Sequence, residues 1–285
     1  MVNLTALPDG TTIPTLGLGT WRMGESLRAR KADIAAVRSA IDLGYRLIDT
    51  AEMYGDGGAE SVVGVAVHDA LTHGAVRRDD LCIVSKVLPN HASRAGLPSA
   101  CARSLARLKI ERIDLYLLHW PGPHPLHETI EAFERLRAQG AIGHWGVSNF
   151  DLDAMQRLVA LAGGAACGAN QVYFSVGSRG VEFDLLPWQQ HRSMPLMAYC
   201  PLDQGALVHH PVLIEIARRR DATPAQIALA WLMAQPGVVA VAKSGHPERL
   251  RENWGAASLR LTDPDRAQIE ASFPAPQRAT PLEVR

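Results

Sequence analysis

Gly17-Leu18-Gly19-Thr20-Trp21-Arg22 is the stretch on which the reading of the fold turns. Leu16–Gly19 is short and apolar enough to be a buried strand, and the residues after it form a glycine-bearing turn. A doubly wound sheet carries its phosphate-binding GxGxxG at this place, with the third glycine needed for close packing of helix on strand. Arg22 stands where that third glycine would be. The fingerprint fails, and another parallel α/β architecture has to account for the rest of the chain.

Seven further apolar runs follow: Arg46–Asp49, Leu81–Lys86, Ile113–His119, Ile142–Ser148, Ala166–Gln171, Leu196–Tyr199 and Val238–Lys243. Amphipathic segments lie between them, among them Lys31–Leu43, Leu97–Leu108, Leu126–Gln139 and Pro224–Met233. Strands alternating with helical patterns are the mark of βαβ units and a parallel sheet. Eight such units with no Ser/Gly/Pro-rich linker predict one domain over 1–285, an α/β chain folded as a (β/α)8 TIM barrel. A β-hairpin turning at Pro8-Asp9-Gly10 precedes it, and an extra C-terminal helix over Asp263–Ala271 follows.

Composition narrows the function. The 285 residues carry 29 Lys+Arg against 29 Asp+Glu, and 47% are hydrophobic. Disordered and fibrous classes are excluded by that profile, and zero net charge argues against a nucleic-acid partner. Arg218-Arg219-Arg220 reads as the solvated end of a helix. Cys82, Cys101, Cys167 and Cys200 include no CxxC pair, so neither a disulfide framework nor a structural zinc site is expected, and a reducing cytosol suits them. Met1-Val2-Asn3-Leu4-Thr5 lacks the pattern of a signal peptide. Ala222–Ala242 has no charged residue, yet Gln226, Gln235 and Pro236-Gly237 divide it into a core helix and a core strand rather than a membrane span. A cytoplasmic chain with no membrane association is the expectation, and no extension for an obligate protein partner is apparent.

The ends of the apolar runs hold the chemistry. Leu47-Ile48 ends in Asp49, Ile83-Val84-Ser85 in Lys86, Tyr116-Leu117-Leu118 in His119, and later runs end in Ser148-Asn149, Gln171, Tyr199 and Lys243. In a (β/α)8 barrel the strand C-termini converge on one face, where catalytic groups sit. One polar residue there can be a loop start; a carboxylate, an amine and an imidazole at three successive ends are harder to dismiss. Tyr54, five residues beyond Asp49, can bring a phenol to the same place. A phenol with an ordinary pKa near 10 is a reluctant acid at neutral pH. A neighbouring ammonium lowers that pKa, and a carboxylate holds the ammonium charged and oriented. With His119 orienting a carbonyl, the set suits protonating an oxyanion as it forms.

These residues resemble the catalytic tetrad of the aldo-keto reductases, (β/α)8 barrels that use NAD(P)H. The resemblance runs from Gly17-Leu18-Gly19-Thr20-Trp21 to Arg249-Leu250-Arg251-Glu252-Asn253. Asp49–Tyr54 with Asp56-Gly57-Gly58-Ala59-Glu60, Leu118-His119-Trp120 and Trp145-Gly146-Val147-Ser148-Asn149 are most like the bacterial methylglyoxal-reductase-like members. The resemblance implies NADPH-dependent reduction of aldehydes or ketones, 2-oxoaldehydes such as methylglyoxal among them. It makes Tyr54 the general acid, Lys86 and Asp49 its tuning pair, and His119 the group that orients the carbonyl. Ser148, Asn149 and Gln171 match residues that bind the nicotinamide carboxamide, and Tyr199 the aromatic residue stacked on its ring. Lys243, Ser244 and Arg249, with Glu252 and Asn253, match the 2′-phosphate and adenine site. Gly19, Thr20, Asp49, Cys200, Pro201 and Leu202 complete the implied NADPH/NADP+ contacts. Two departures stand out. The usual Tyr-Ser-Pro-Leu-Gly reads Tyr199-Cys200-Pro201-Leu202-Asp203, so the loop over the pyrophosphate is expected to close differently, and Gly245-His246-Pro247 follows Ser244 in place of a polar residue such as Asn.

Trp21 and Trp120 follow the first and fourth barrel strands and are read as lining the substrate pocket with Tyr54 and His119. Trp188, Trp231 and Trp254 are read as packing. No metal site is expected: His119, His124 and His127 lack Cys or HExxH spacing, and His124, His127 and His209-His210 read as solvated. Cys200 reads as a small, partly buried residue beside the site. Two competing functions remain, a Schiff-base lyase using Lys86 and a regulatory subunit that binds the cofactor without turnover. Asp49 opposes the first, since a nucleophilic lysine must be neutral.

Overall fold

Pro8-Asp9-Gly10 turns the first hairpin in the computed structural model, which describes residues 3–285; Met1 and Val2, the start of the N-terminal segment read above, lie outside it. Strand β1 (Leu4–Ala6) pairs antiparallel with β2 (Thr12–Pro14), and Gly10 takes the left-handed conformation (φ 90°) that lets its N–H reach the Leu7 carbonyl. Eight parallel strands follow: β3 (Leu16–Gly19), β4 (Leu47–Asp49), β5 (Cys82–Val87), β6 (Ile113–Leu118), β7 (Ile142–Ser148), β8 (Asn170–Tyr173), β9 (Leu196–Tyr199) and β10 (Val238–Lys243). Each pairs with its successor and β10 closes on β3, so the barrel has no free edge.

Helices α1 (Arg30–Leu43), α2 (Gly58–Thr72), α3 (Gly96–Leu108), α4 (Leu126–Ala138), α5 (Leu152–Ala160) and α6 (Leu185–Gln190) follow β3 to β8 in turn. Both α7 (Pro211–Arg219) and α8 (Pro224–Met233) lie between β9 and β10. Helix α9 (Pro247–Gly255) completes the eighth unit, and α10 (Asp263–Ser272) is the extra C-terminal helix. The start of α8 shows how sequence sets an element. Thr223 accepts from the Gln226 N–H, the Gln226 side chain accepts from the Thr223 N–H, and Pro224 supplies a φ already suited to a first turn. Ala222–Ala242 thereby becomes a buried helix and a buried strand, and no helix among the described residues is long and apolar enough to cross a membrane.

The strands split the core into two layers. Side chains alternate across a strand with period two, so Leu115 and Leu117 of β6 enter the barrel while Tyr116 and Leu118 face the helices. The inner layer also holds Leu47, Val84, Ala169, Met197, Val239 and Val241. Leu7 and Ile13 of the hairpin join it, which seals the barrel at the N-terminal ends of its strands and leaves the C-terminal ends for a site. The outer layer carries the helix-borne Trp231, buried in α8, with Trp188 and Trp254 packed against it half-buried.

Several sequence expectations shift, among them the bounds of β4, which starts at Leu47, and β5, which runs over Cys82–Val87. Strand β8 begins at Asn170, not Ala166, because Gly163 turns left-handed (φ 79°) and Gly164–Ala166 coils into a 3-10 turn; it extends to Tyr173, which pairs with Tyr199. Helix α7 was not anticipated. The Arg218-Arg219-Arg220 run ends a helix with Arg218 and Arg219 exposed, as read, and Arg219 and Arg220 in addition pair with the buried Asp265 of α10. Finally, His119 lies one residue beyond β6.

Candidate active site

The inward period of the strands carries the polar ends to one point. Leu47, Val84, Leu117 and Ala169 point into the barrel, and two residues further along each strand come Asp49, Lys86, His119 and Gln171. Lys86, fully buried, donates from Nζ to Asp49 Oδ2 at 2.7 Å, to the Thr50 carbonyl at 2.9 Å and to the Tyr54 hydroxyl at 3.3 Å. The other Asp49 oxygen accepts from Gln171 Nε2 at 2.8 Å, so both carboxylate oxygens are committed. Tyr54 reaches this point from the loop after β4. Gly57, left-handed at φ 81°, caps α2 behind it. The Tyr54 and His119 rings meet edge to face with centroids 5.7 Å apart.

Electrostatics sort these groups. Burial works against the Lys86 ammonium, but Asp49 and Tyr54 outweigh it and raise its pKa above the ordinary lysine value. Burial pushes the Tyr54 phenol up, and Lys86 only partly offsets that. The net direction reverses the expectation of a lowered pKa: the phenol holds its proton at neutral pH, and the ammonium limits a rise it does not cancel. His119 is brought down to about 2 by burial and then by the Lys86 charge, so its ring is neutral. Its Nδ1 is buried without a partner.

A cleft of about 820 Å³ opens over this cluster and runs across the barrel mouth. On one side Ser148 Oγ donates to the Gln171 carbonyl at 2.8 Å, and Asn149 Nδ2 donates to the His119 carbonyl at 3.1 Å and to Ser148 Oγ at 3.2 Å. Asn149 is left-handed (φ 60°), a conformation its short amide tolerates better than most side chains, and its Oδ1 accepts from the Tyr199 hydroxyl at 2.9 Å. Beyond Tyr199 a strap over residues 200–208 lines one wall of the cleft, with Cys200, Asp203, Gln204 and Gly205 all at positive φ. Asp203, the departure noted in the sequence, accepts from the Tyr173 hydroxyl at 2.6 Å, which ties the strap to the end of β8. Burial and then Asp203 raise the Cys200 thiol above its usual pKa, leaving it protonated and unreactive at neutral pH. At the far end Lys243, Ser244, Arg249, Glu252 and Asn253 gather around the start of α9.

Every residue expected at the cofactor lines this cleft: Gly19, Thr20, Asp49, Ser148, Asn149, Gln171, Tyr199, Cys200, Pro201, Leu202, Lys243, Ser244, Arg249, Glu252 and Asn253. Tyr54, His119 and Trp21 line it too, while Lys86 lies beneath its floor. Trp120 does not: its ring packs on His119 at 4.9 Å, and it borders that ring rather than the cleft. The histidines divide as well. His127 and His209 are exposed, His124 faces the Asn90 carbonyl at 3.2 Å, and His210 departs from the solvated reading by packing on Phe273 at 4.4 Å. Residues that line the cleft and were not expected there include Arg22, Met53, Val208, His209, Ala225, Val241, Ala242 and Arg285. Arg22 stood in plain view as the break in the glycine pattern. Arg285, whose N–H donates to the Tyr199 hydroxyl at 3.2 Å, had no local signal.

Residues 15–273 match the Aldo/keto reductase family. The chain is 44% identical over 278 residues to methylglyoxal reductase YeaE of Escherichia coli (strain K12), which spans 96% of this chain and 95% of that protein. An aldo/keto reductase from Klebsiella pneumoniae, solved in complex with NADP and acetate, superposes with a TM-score of 0.94 at 44% identity over 100% of both chains. The thermostable aldo-keto reductase Tm1743, solved with the inhibitor epalrestat, gives 0.88 at 38% identity over 94% of this chain and 99% of that one. With a family match over the barrel, relatives of this identity and a polar cluster at the strand C-termini, the chain belongs to the aldo/keto reductase family.

Proposed function

We propose that the protein is an NADPH-dependent carbonyl reductase of small aldehydes and ketones, 2-oxoaldehydes such as methylglyoxal among them. The observation that carries this reading is the buried Asp49–Lys86–Tyr54 chain, which ends in a protonated phenol at the floor of the cleft, facing the neutral ring of His119. The residues fit a dinucleotide. A long cleft has amide and hydroxyl groups at its centre and two cations at one end, with Glu252 the carboxylate beside them. Ser148, Asn149 and Gln171 would hold the carboxamide, Tyr199 the ring face, and Lys243, Ser244 and Arg249 the 2′-phosphate, with Glu252 and Asn253 near the adenine. Bound there, the cofactor supplies a hydride to the carbonyl carbon.

The protein's own groups do the rest. His119, neutral and with Nδ1 buried, offers its other ring nitrogen to the carbonyl oxygen and fixes its direction. Tyr54 gives its proton to that oxygen as charge develops, completing the alcohol, and the tyrosinate left behind is stabilised by Lys86. Asp49 keeps Lys86 charged. The same contact counts against a Schiff-base lyase, because a lysine whose pKa is raised is a poor nucleophile. The family assignment and the dispersed free thiols suit a cytoplasmic enzyme.

A steady-state screen of methylglyoxal, simple aldehydes and ketones with NADPH and with NADH tests this reading. Oxidation of NADPH by at least one aldehyde, faster than oxidation of NADH, is expected. No oxidation with any carbonyl, by protein that binds NADPH, would favour the regulatory-subunit reading instead.

A further inference from the structure

Glu52 is a buried carboxylate two residues before Tyr54, and the chemistry above leaves it without a role. We propose that Glu52 is a positioning residue that staples the Tyr54 loop to the end of the strand carrying Lys86. This rests on the reading of Tyr54 as proton donor.

The staple is visible as a ladder continued past the end of β4. Thr50 N–H donates to the Val84 carbonyl at 2.9 Å, and Glu52 N–H donates to the Lys86 carbonyl at 3.2 Å. The next rung has no backbone partner on the loop, because the chain turns away towards Tyr54. The Glu52 side chain fills it: Oε1 accepts from the Leu88 N–H at 2.7 Å. Residue 52 therefore holds the two segments together twice, once through its backbone and once through its carboxylate. His91 Nδ1 lies 3.0 Å from the same Oε1, and Arg103 Nη2 lies 3.8 Å from Oε2.

Beyond this point the Tyr54 ring packs against the core and meets His119 edge to face, and its carbonyl accepts from the Ala59 N–H at 3.1 Å. The Tyr54 N–H donates to the Ala51 carbonyl at 3.2 Å, within the loop itself, and its hydroxyl accepts from Lys86 at 3.3 Å, a long contact. Glu52 sits where the loop after β4 parts from the end of β5, so a change there is expected to move Tyr54 relative to Lys86. A buried carboxylate would be a costly way only to fill space, since apolar groups of similar volume pack as well or better. Its return is geometric. Displacing a reacting group by about 1 Å can cost about 100-fold in rate.

The test compares Glu52→Ala, Glu52→Asp and Glu52→Gln in NADPH-dependent reduction of methylglyoxal, with the melting temperature and the Kd for NADPH measured alongside. Glu52→Ala is expected to lower kcat by about 10–100-fold. The Kd for NADPH should stay within about twofold, because the loss falls on the chemical step. Glu52→Gln, which keeps an oxygen for the Leu88 N–H, should retain most of kcat. Glu52→Asp, too short to reach it, should behave like Ala, and it carries the test if the Ala variant does not fold. In a Tyr54→Phe background Glu52→Ala should change the residual rate little. A folded Ala or Asp variant with wild-type kcat would overturn the proposal, as would an equal loss in both backgrounds or a Gln variant as slow as Ala. Failure of the underlying reading looks different, for Tyr54→Phe alone would then keep full activity.

Discussion

At the scale of single residues, the site is a problem of protonation. Tyr54 keeps its proton because burial outweighs the nearby ammonium, so kcat/KM should be flat through neutral pH and fall only above about pH 10, the ordinary phenol value. His119, brought down to about 2, should add no acid limb between roughly pH 5 and 8, where an ordinary histidine would titrate. Removing the ammonium in Lys86→Met takes away the one charge pulling the Tyr54 pKa down. The alkaline limb should move further up, and kcat at neutral pH should fall by about 10²–10⁴-fold; Asp49→Asn should be milder, since the lysine remains. A Lys86→Met enzyme that titrates and turns over like wild type would contradict the coupling. Asp49, Lys86, His119 and Gln171 were legible in the sequence because each ends an apolar run, and the structure shows each two beyond an inward apolar side chain. The sign of the Tyr54 shift was not. Burial is a property of the closed cleft floor, and a one-dimensional reading counts only the neighbouring charge.

At the scale of elements, the same contrast holds. Leu16–Gly19, Ile142–Ser148, Leu196–Tyr199 and Val238–Lys243 form as read, because each is a short, largely apolar run ended by polar residues. Strand β8 and helix α7 were misread or missed for physical reasons: Gly163 and Gly164 coil an apolar run that looked extended, and two helices share one crossover. Helix α9 starts at Pro247, next to Lys243-Ser244 and with Arg249 in its first turn, and this start sets the cofactor prediction. Arg249 offers a fork of donors beside a helix N-terminus, both suited to a phosphate. A charge-assisted contact is worth about 1.5–3 kcal/mol, so Arg249→Ala should raise the Kd for NADPH by about 10–150-fold and leave that for NADH nearly unchanged. Fluorescence titration with both cofactors measures this. Equal losses would assign Arg249 to the fold or the adenine.

At the scale of the whole molecule, stability and chemistry occupy opposite ends of one barrel. The hairpin seals one end with Leu7 and Ile13, while the outer helices are tied down away from the cleft. Asp265 of α10 accepts from Thr262, Arg219 and Arg220, and its carboxyl lies well below the usual range although burial alone would raise it. A depressed carboxylate stabilises above its unfolded pKa and loses that contribution as pH falls, so the α10 contact should weaken in acid. Asp265→Asn should cost about 1.5–3 kcal/mol and lower Tm by about 3–12 °C while leaving kcat unchanged at 25 °C. A calorimetric Tm equal to wild type would show the cluster to be ornamental. The barrel's other end is judged by one experiment, the single-turnover rate of NADPH oxidation by methylglyoxal in Tyr54→Phe at saturating concentrations of both. If Tyr54 is the proton donor, the rate falls by about 10²–10⁴-fold with the Kd for NADPH unchanged; a Phe variant that turns over at the wild-type rate would contradict the account.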